Sequence, residues 1–132
     1  MEISIPIVTV DDNYFSIFSD TTFPEEIRGG LIISERIKAS NFRLRRSEPG
    51  YQADWHVAGD PTFIMVRKGV LRLHMRNKDY RDFRPGDLFI AANYLPEGVA
   101  FDNKIHGHRA EVLGEQTFEA VHIKLAERPL KG

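Results

Sequence analysis

The sequence predicts an all-β protein, a barrel or two-sheet sandwich of short antiparallel strands, from three of its features. Apolar residues run with period two: Thr62, Ile64 and Val66 alternate with Phe63, Met65 and Arg67, and Leu71, Leu73 and Met75 alternate with Arg72, His74 and Arg76, as in strands with one buried face. Turn signals recur about every ten residues, the spacing of antiparallel sandwiches and barrels. No apolar run holds a helical period for three turns.

Taken in order, residues 2–10 alternate Ile3, Ile5 and Ile7 with polar positions and predict a strand, which Pro6 pushes toward a sheet edge because it lacks an N–H. Asp11-Asp12-Asn13 is a turn by composition, and residues 14–18 fit either a strand or one helical turn. Pro24-Glu25-Glu26 has the proline and the acids of a first turn, so a brief helix is expected there, ended by Gly29-Gly30. Strands follow at 31–34 and 38–46, the second with Phe42 and Leu44 on the core face and Arg43 and Arg45 toward solvent. Ser47-Glu48-Pro49-Gly50 turns into residues 50–92, which read as four short strands. Their connections are Lys68-Gly69, Asn77-Lys78-Asp79 and Arg84-Pro85-Gly86-Asp87. Residues 93–107 form the longest irregular segment, a candidate binding loop. Strands at 109–113 and 118–125 close the fold, and the tail from Ala126 is too polar and proline-broken for a core.

The whole chain bounds the function classes. With 132 residues, 42% of them hydrophobic, it is expected to be one domain with a single core, residues 1–49 framing a core at 50–125. The absence of cysteine excludes disulfides, thiolate metal sites and cysteine nucleophiles and is compatible with a cytoplasmic location. The N-terminus lacks the pattern of a signal peptide, and no run is long enough to cross a bilayer. Eighteen basic residues against nineteen acidic ones give a net charge of -1, so neither a nucleic-acid nor a membrane surface is expected.

Spacing within residues 50–92 adds more. Gly50, His56, Ala58, Thr62 and Gly69 fall on the skeleton G-x5-H-x-H-x3-E-x6-G, and Pro85-Gly86-Asp87 follows where that pattern has its Pro-Gly-Asp turn. In this the chain resembles a small single-domain cupin over residues 50–125. The resemblance implies a double-stranded β-helix, or jelly-roll barrel, with a pocket inside it, and cupins commonly form homodimers. In the cupin motif two histidines and a glutamate bind a metal. Here only His56 remains, with Ala58 and Thr62 in the other places. A narrower group of small bacterial cupins is similar in its Trp-His-x-Ala stretch, here Trp55 to Ala58, and in a later Gly-His, here Gly107-His108.

On this reading His56 is the central catalytic candidate, pointing into the barrel with Asp54 on the same strand face. An adjacent carboxylate would fix the imidazole tautomer and raise its basicity. His108 is the expected partner across the pocket, and His106 flanks it. Thr62, whose hydroxyl can hydrogen-bond a substrate, is a ligand-binding candidate with His106, Arg43, Tyr94 and Phe101. Arg43, Arg45 and Arg46 could pair an anion if they faced the interior, although alternation favours solvent. His74 is expected on an outer face, and His122 is undecided between faces.

No cofactor is expected. If a metal were bound, Asp54, His56 and His108 would hold Fe, Mn or Zn. The leading expectation is a metal-independent acid-base enzyme, an isomerase, dehydratase or other lyase, acting on a small polar organic molecule. A metal-dependent cupin such as a dioxygenase and a non-catalytic binding or sensing module are the alternatives. A homodimer is expected through Ile3, Ile5 and Ile7 on the edge strand.

Overall fold

A computed structural model describes residues 2–126, and all ten regular elements within them are strands. They are β1 (Glu2–Val10), β2 (Ser16–Arg28), β3 (Leu31–Ser34), β4 (Ala39–Ser47), β5 (Thr62–Lys68), β6 (Val70–His74), β7 (Tyr80–Phe83), β8 (Leu88–Ala91), β9 (Arg109–Leu113) and β10 (Phe118–Leu125). Seven form one sheet in the order β3-β2-β1-β8-β5-β10-β4, and three form a second in the order β7-β6-β9. All pairings are antiparallel except β1 with β8. The all-β expectation holds.

The main core lies where the inward faces of the sheets meet. Ile64 and Val66 of β5, Leu71 and Leu73 of β6, Phe89 of β8, Val112 of β9 and Phe118 of β10 pack into one cluster with Met75 and Phe83. At ~1.5–3 kcal/mol per fully buried large apolar side chain, this cluster is the main source of stability. A second cluster joins Ile5, Ile7, Phe23, Ile90 and Leu125. Gly69 turns β5 into β6 at φ +78°, where a Cβ would stand 3.0 Å from the Thr117 carbonyl oxygen, so both backbone angle and space select glycine.

Four local expectations are corrected. The helix at Pro24 is absent: β2 runs through it, because Pro24 sits where pairing passes from Glu2 of β1 to Ser34 of β3, and its carbonyl accepts from the N–H of Glu35. Strand β1 is interior to the sheet, paired with β2 and β8, so Pro6 marks no edge, and Ile5 and Ile7 are buried within this chain. Residues 50–58 make isolated bridges, Gln52 with Glu111 and His56 with His108, in place of a continuous strand.

The fourth correction reverses β4. Phe42 and Leu44 are 68% and 72% exposed. Register explains it, since directly paired residues share a face. Val66, Ala120 and Arg45 form one cross-strand row and Ile64, His122 and Arg43 the next, so the buried Val66, Ala120 and Ile64 set the inward phase for the arginine positions. The tail expectation falls largely on residues 127–132, outside the described residues.

Candidate functional site

Between the sheets lies a cavity of about 390 Å³. Its floor is apolar, with Ile64, Leu71, Leu73, Phe89, Ala91 and Ala110. Its polar wall carries His56, His108, Thr62, Arg45, Tyr51 and His122, and Asp60 and Lys124 pair at 3.1 Å with both side chains well exposed. A larger, more open depression of about 630 Å³ is lined by Tyr80, Asp82, Arg84 and Asp87 and contains no histidine.

The two histidines are brought together by backbone. His56 N–H donates to the His108 carbonyl at 3.0 Å, and His108 N–H donates to the His56 carbonyl at 2.9 Å. This two-way bridge sets the ring centroids 4.4 Å apart, with the planes inclined at 56°. Gly107 makes the approach possible: it has φ +93°, and a Cβ would lie 2.8 Å from both the N and the O of His56.

The rings differ in surroundings. His56 Nδ1 lies 2.8 Å from the Asp54 backbone carbonyl, which can only accept, so Nδ1 carries the proton and Nε2 keeps its lone pair. This corrects the expected carboxylate partner: Asp54 contributes its main chain, because residues 50–58 are not a regular strand that would set the two side chains on one face. His108 is buried and its Nδ1 has no hydrogen-bond partner. Burial first, then the nearby His56, pushes its pKa down to about 3, so it is neutral at physiological pH.

Asn93, fully buried, holds the His56 segment in place. Its Oδ1 accepts from Ala58 N–H at 3.2 Å, and its Nδ2 donates to Ser16 Oγ at 2.8 Å and to the His56 carbonyl at 3.4 Å. Sequence reasoning missed it; an asparagine directly after an apolar strand was the available signal. The loop that follows is held by Arg76, whose guanidinium lies 3.9 Å from the Trp55 ring centroid and donates to the carbonyls of His106 and Asn103.

Of the ligand-binding candidates Thr62, His106, Arg43, Tyr94 and Phe101, Thr62 lines the cavity, with its hydroxyl donating to the Asp60 carbonyl at 3.1 Å. His106 is buried within its own loop, where its Nδ1 accepts from Asp102 N–H at 2.9 Å and Phe101 stands 6.1 Å from its ring. Tyr94 packs on the second core cluster, and Arg43 is exposed beside His122. The structure does not bring these four to the cavity. It brings instead Arg45, read as solvent-facing, and His122, left undecided.

The motif's metal can be tested against these groups. Among the described residues no three His, Cys, Asp or Glu side chains converge on a point that could hold an ion. Ala58 and Thr62 supply no ligand charge, Asp54 turns its main-chain carbonyl to the His56 ring, and Arg45 on the same wall repels a cation. The donor set does not fit a cupin metal, Asp54, His56 and His108 included.

No protein-family model matches the chain, and no curated protein matches it in sequence. Solved structures that the chain partly resembles include protein NMB1881 from Neisseria meningitidis, at 13% identity and TM-score 0.43 over 79% of this chain and 82% of that one. The polyketide cyclase RemF from Streptomyces resistomycificus is 18% identical at TM-score 0.44 over 67% of this chain and 57% of its own. The capsular polysaccharide assembling protein CapF from Staphylococcus aureus is 18% identical at TM-score 0.40, over 89% of this chain and 29% of its own. This chain thus spans little more than half of RemF and under a third of CapF.

Proposed function

We propose that the chain is a cupin-type barrel that binds a small polar organic molecule between its sheets and moves a proton on it without a metal, as an isomerase or lyase does. The observation that carries this reading is the His56–His108 pair, two imidazoles in van der Waals reach on the wall of one cavity, one anchored through Nδ1 to a carbonyl and the other buried. His56 Nε2 offers a lone pair and serves as the general base, taking a proton from a carbon next to a carbonyl. The electron pair left behind moves onto the carbonyl oxygen, and the N–H of neutral His108 hydrogen-bonds that oxygen. The His56 imidazolium then returns the proton to a different carbon, which is isomerisation, or to a departing hydroxyl, which is dehydration.

Incubation in deuterium oxide with a panel of small oxo and hydroxy acids, followed by mass spectrometry, tests it. The expected result is incorporation of solvent deuterium at a carbon of at least one compound, lost in His56→Ala. Compounds that bind the native protein in the cavity but exchange no deuterium would overturn the proton-transfer reading and leave a binding module.

A further inference from the structure

We propose that the cavity recognises its ligand by a single carboxylate, seated on Arg45 and His122 of the β4–β10 wall, opposite in role to the histidine pair that acts on the rest of the molecule. The inference deepens the reading above and rests on the same cavity.

Arg45 enters the barrel with its guanidinium 5.1 Å from the Phe118 ring centroid and 5.6 Å from that of Tyr51. Its Nε donates to Ser47 Oγ at 3.0 Å, and no carboxylate of the described residues lies within ion-pair distance. A cation withdrawn from water is ordinarily paired, because desolvation without a counter-ion is costly. With Nε engaged, the two Nη groups remain as a planar donor pair, the geometry that matches the two oxygens of a carboxylate. On the next cross-strand row His122 turns the same way, and its Nε2 is buried with no hydrogen-bond partner. One cavity wall thus carries a cation with no carboxylate of the described residues to match it and, beside it, an imidazole nitrogen with no hydrogen-bond partner.

Charge selects the ligand class. Burial, followed by Arg45 and Arg43, pushes the His122 pKa down to about 4, so this ring is neutral; Arg43 is exposed to solvent, and Arg45 supplies the charge within the cavity. Lys124 is matched by Asp60 and adds no free positive charge. One fixed positive charge suits a monoanion better than a phosphate dianion, and the apolar floor takes an uncharged body.

Benzoate, benzamide and phenyl phosphate share an apolar ring and differ in the head group, so calorimetric titration of the full chain with each, backed by ligand-observed NMR, separates the possibilities. Benzoate is expected to bind saturably at millimolar concentration, benzamide and phenyl phosphate at least about tenfold more weakly, the scale of one charge-assisted bidentate contact. Arg45→Gln and the charge-conserving Arg45→Lys should each weaken benzoate by about tenfold or more, since lysine keeps the charge and loses the fork. Should Arg45→Gln fail to fold, the lysine variant and His122→Phe give the same reading. Absence of benzoate binding to the native protein, equal binding of benzamide, tighter binding of phenyl phosphate, or unchanged affinity in Arg45→Lys and His122→Phe would overturn the inference. A protein that binds benzoate through Arg45 yet exchanges no deuterium refutes the proton-transfer reading alone, and exchange on uncharged compounds with no role for Arg45 refutes the carboxylate alone.

Discussion

At the scale of single residues, the site depends on groups held where their ordinary chemistry would not place them. His108 stays neutral in the folded protein and protonates near pH 6.5 when unfolded, with His122 shifted the same way. A depressed folded pKa means that the unfolded chain takes up the proton first, so the stability present above about pH 6.5 is lost as pH falls toward 4 and below. For His108 alone the slope approaches ~1.4 kcal/mol per pH unit. Thermal melts from pH 8 to 4 should show this fall, and His108→Gln should flatten it; an unchanged profile in that variant would contradict the burial of a neutral ring. Asn93→Ala leaves the Ala58 N–H and the His56 carbonyl without their side-chain partner, and is expected to cost about 2–4 kcal/mol in denaturant unfolding. Gly107→Ala would drive a Cβ into the His56 backbone at a left-handed φ, and a loss of roughly 2–4 kcal/mol together with the His56–His108 bridge is expected.

Among the elements, what was legible in the sequence was periodicity, and what was not was phase. Strands β5 and β6 could be read outright, because Ile64, Val66, Leu71 and Leu73 are apolar on one face and more polar on the other. Strand β4 has equally clear alternation, yet its apolar residues face out, because pairing with Ala120 and His122 fixes which side enters the barrel, and that is a property of the neighbouring strand. Local pattern gives period; tertiary register gives phase. The same limit hid Arg45 and left His122 undecided. For the histidine pair the motif spacing sufficed, since Gly50, His56 and Gly69 and the Gly107-His108 step survive as sequence. Asp54 misled because spacing of two residues implies a shared face only in a regular strand. At this scale the loop clamp can be tested: Arg76→Ala removes the contact with Trp55 and the bonds to the carbonyls of His106 and Asn103. Amide exchange in residues 102–108 should then quicken while that of β5 and β8 does not change.

For the whole molecule, the sheet ends are exposed and apolar. At one end Ile27 is 73% exposed, with Leu31, Ile32 and Ile33 of β3 beside it, and at the other stand Phe42 and Leu44. The homodimer expected from sequence cannot use Ile5 and Ile7, which this chain buries itself; we propose that a second copy covers the β3 end instead. Light scattering at micromolar concentration should give twice the chain mass of 15.1 kDa, and Ile32→Lys should return it to one. The two sheets meanwhile enclose one cavity whose floor is apolar and whose wall holds the histidine pair, and the central claim concerns that pair: His56 as a base with a free Nε2, His108 as a neutral donor. Long-range proton–nitrogen correlation spectra of the imidazoles across a pH series test it most directly. His56 is expected to carry its proton on Nδ1 when neutral and His108 to stay neutral to below pH 5; a His108 ring titrating near pH 6.5, or a His56 with its proton on Nε2, would overturn both roles.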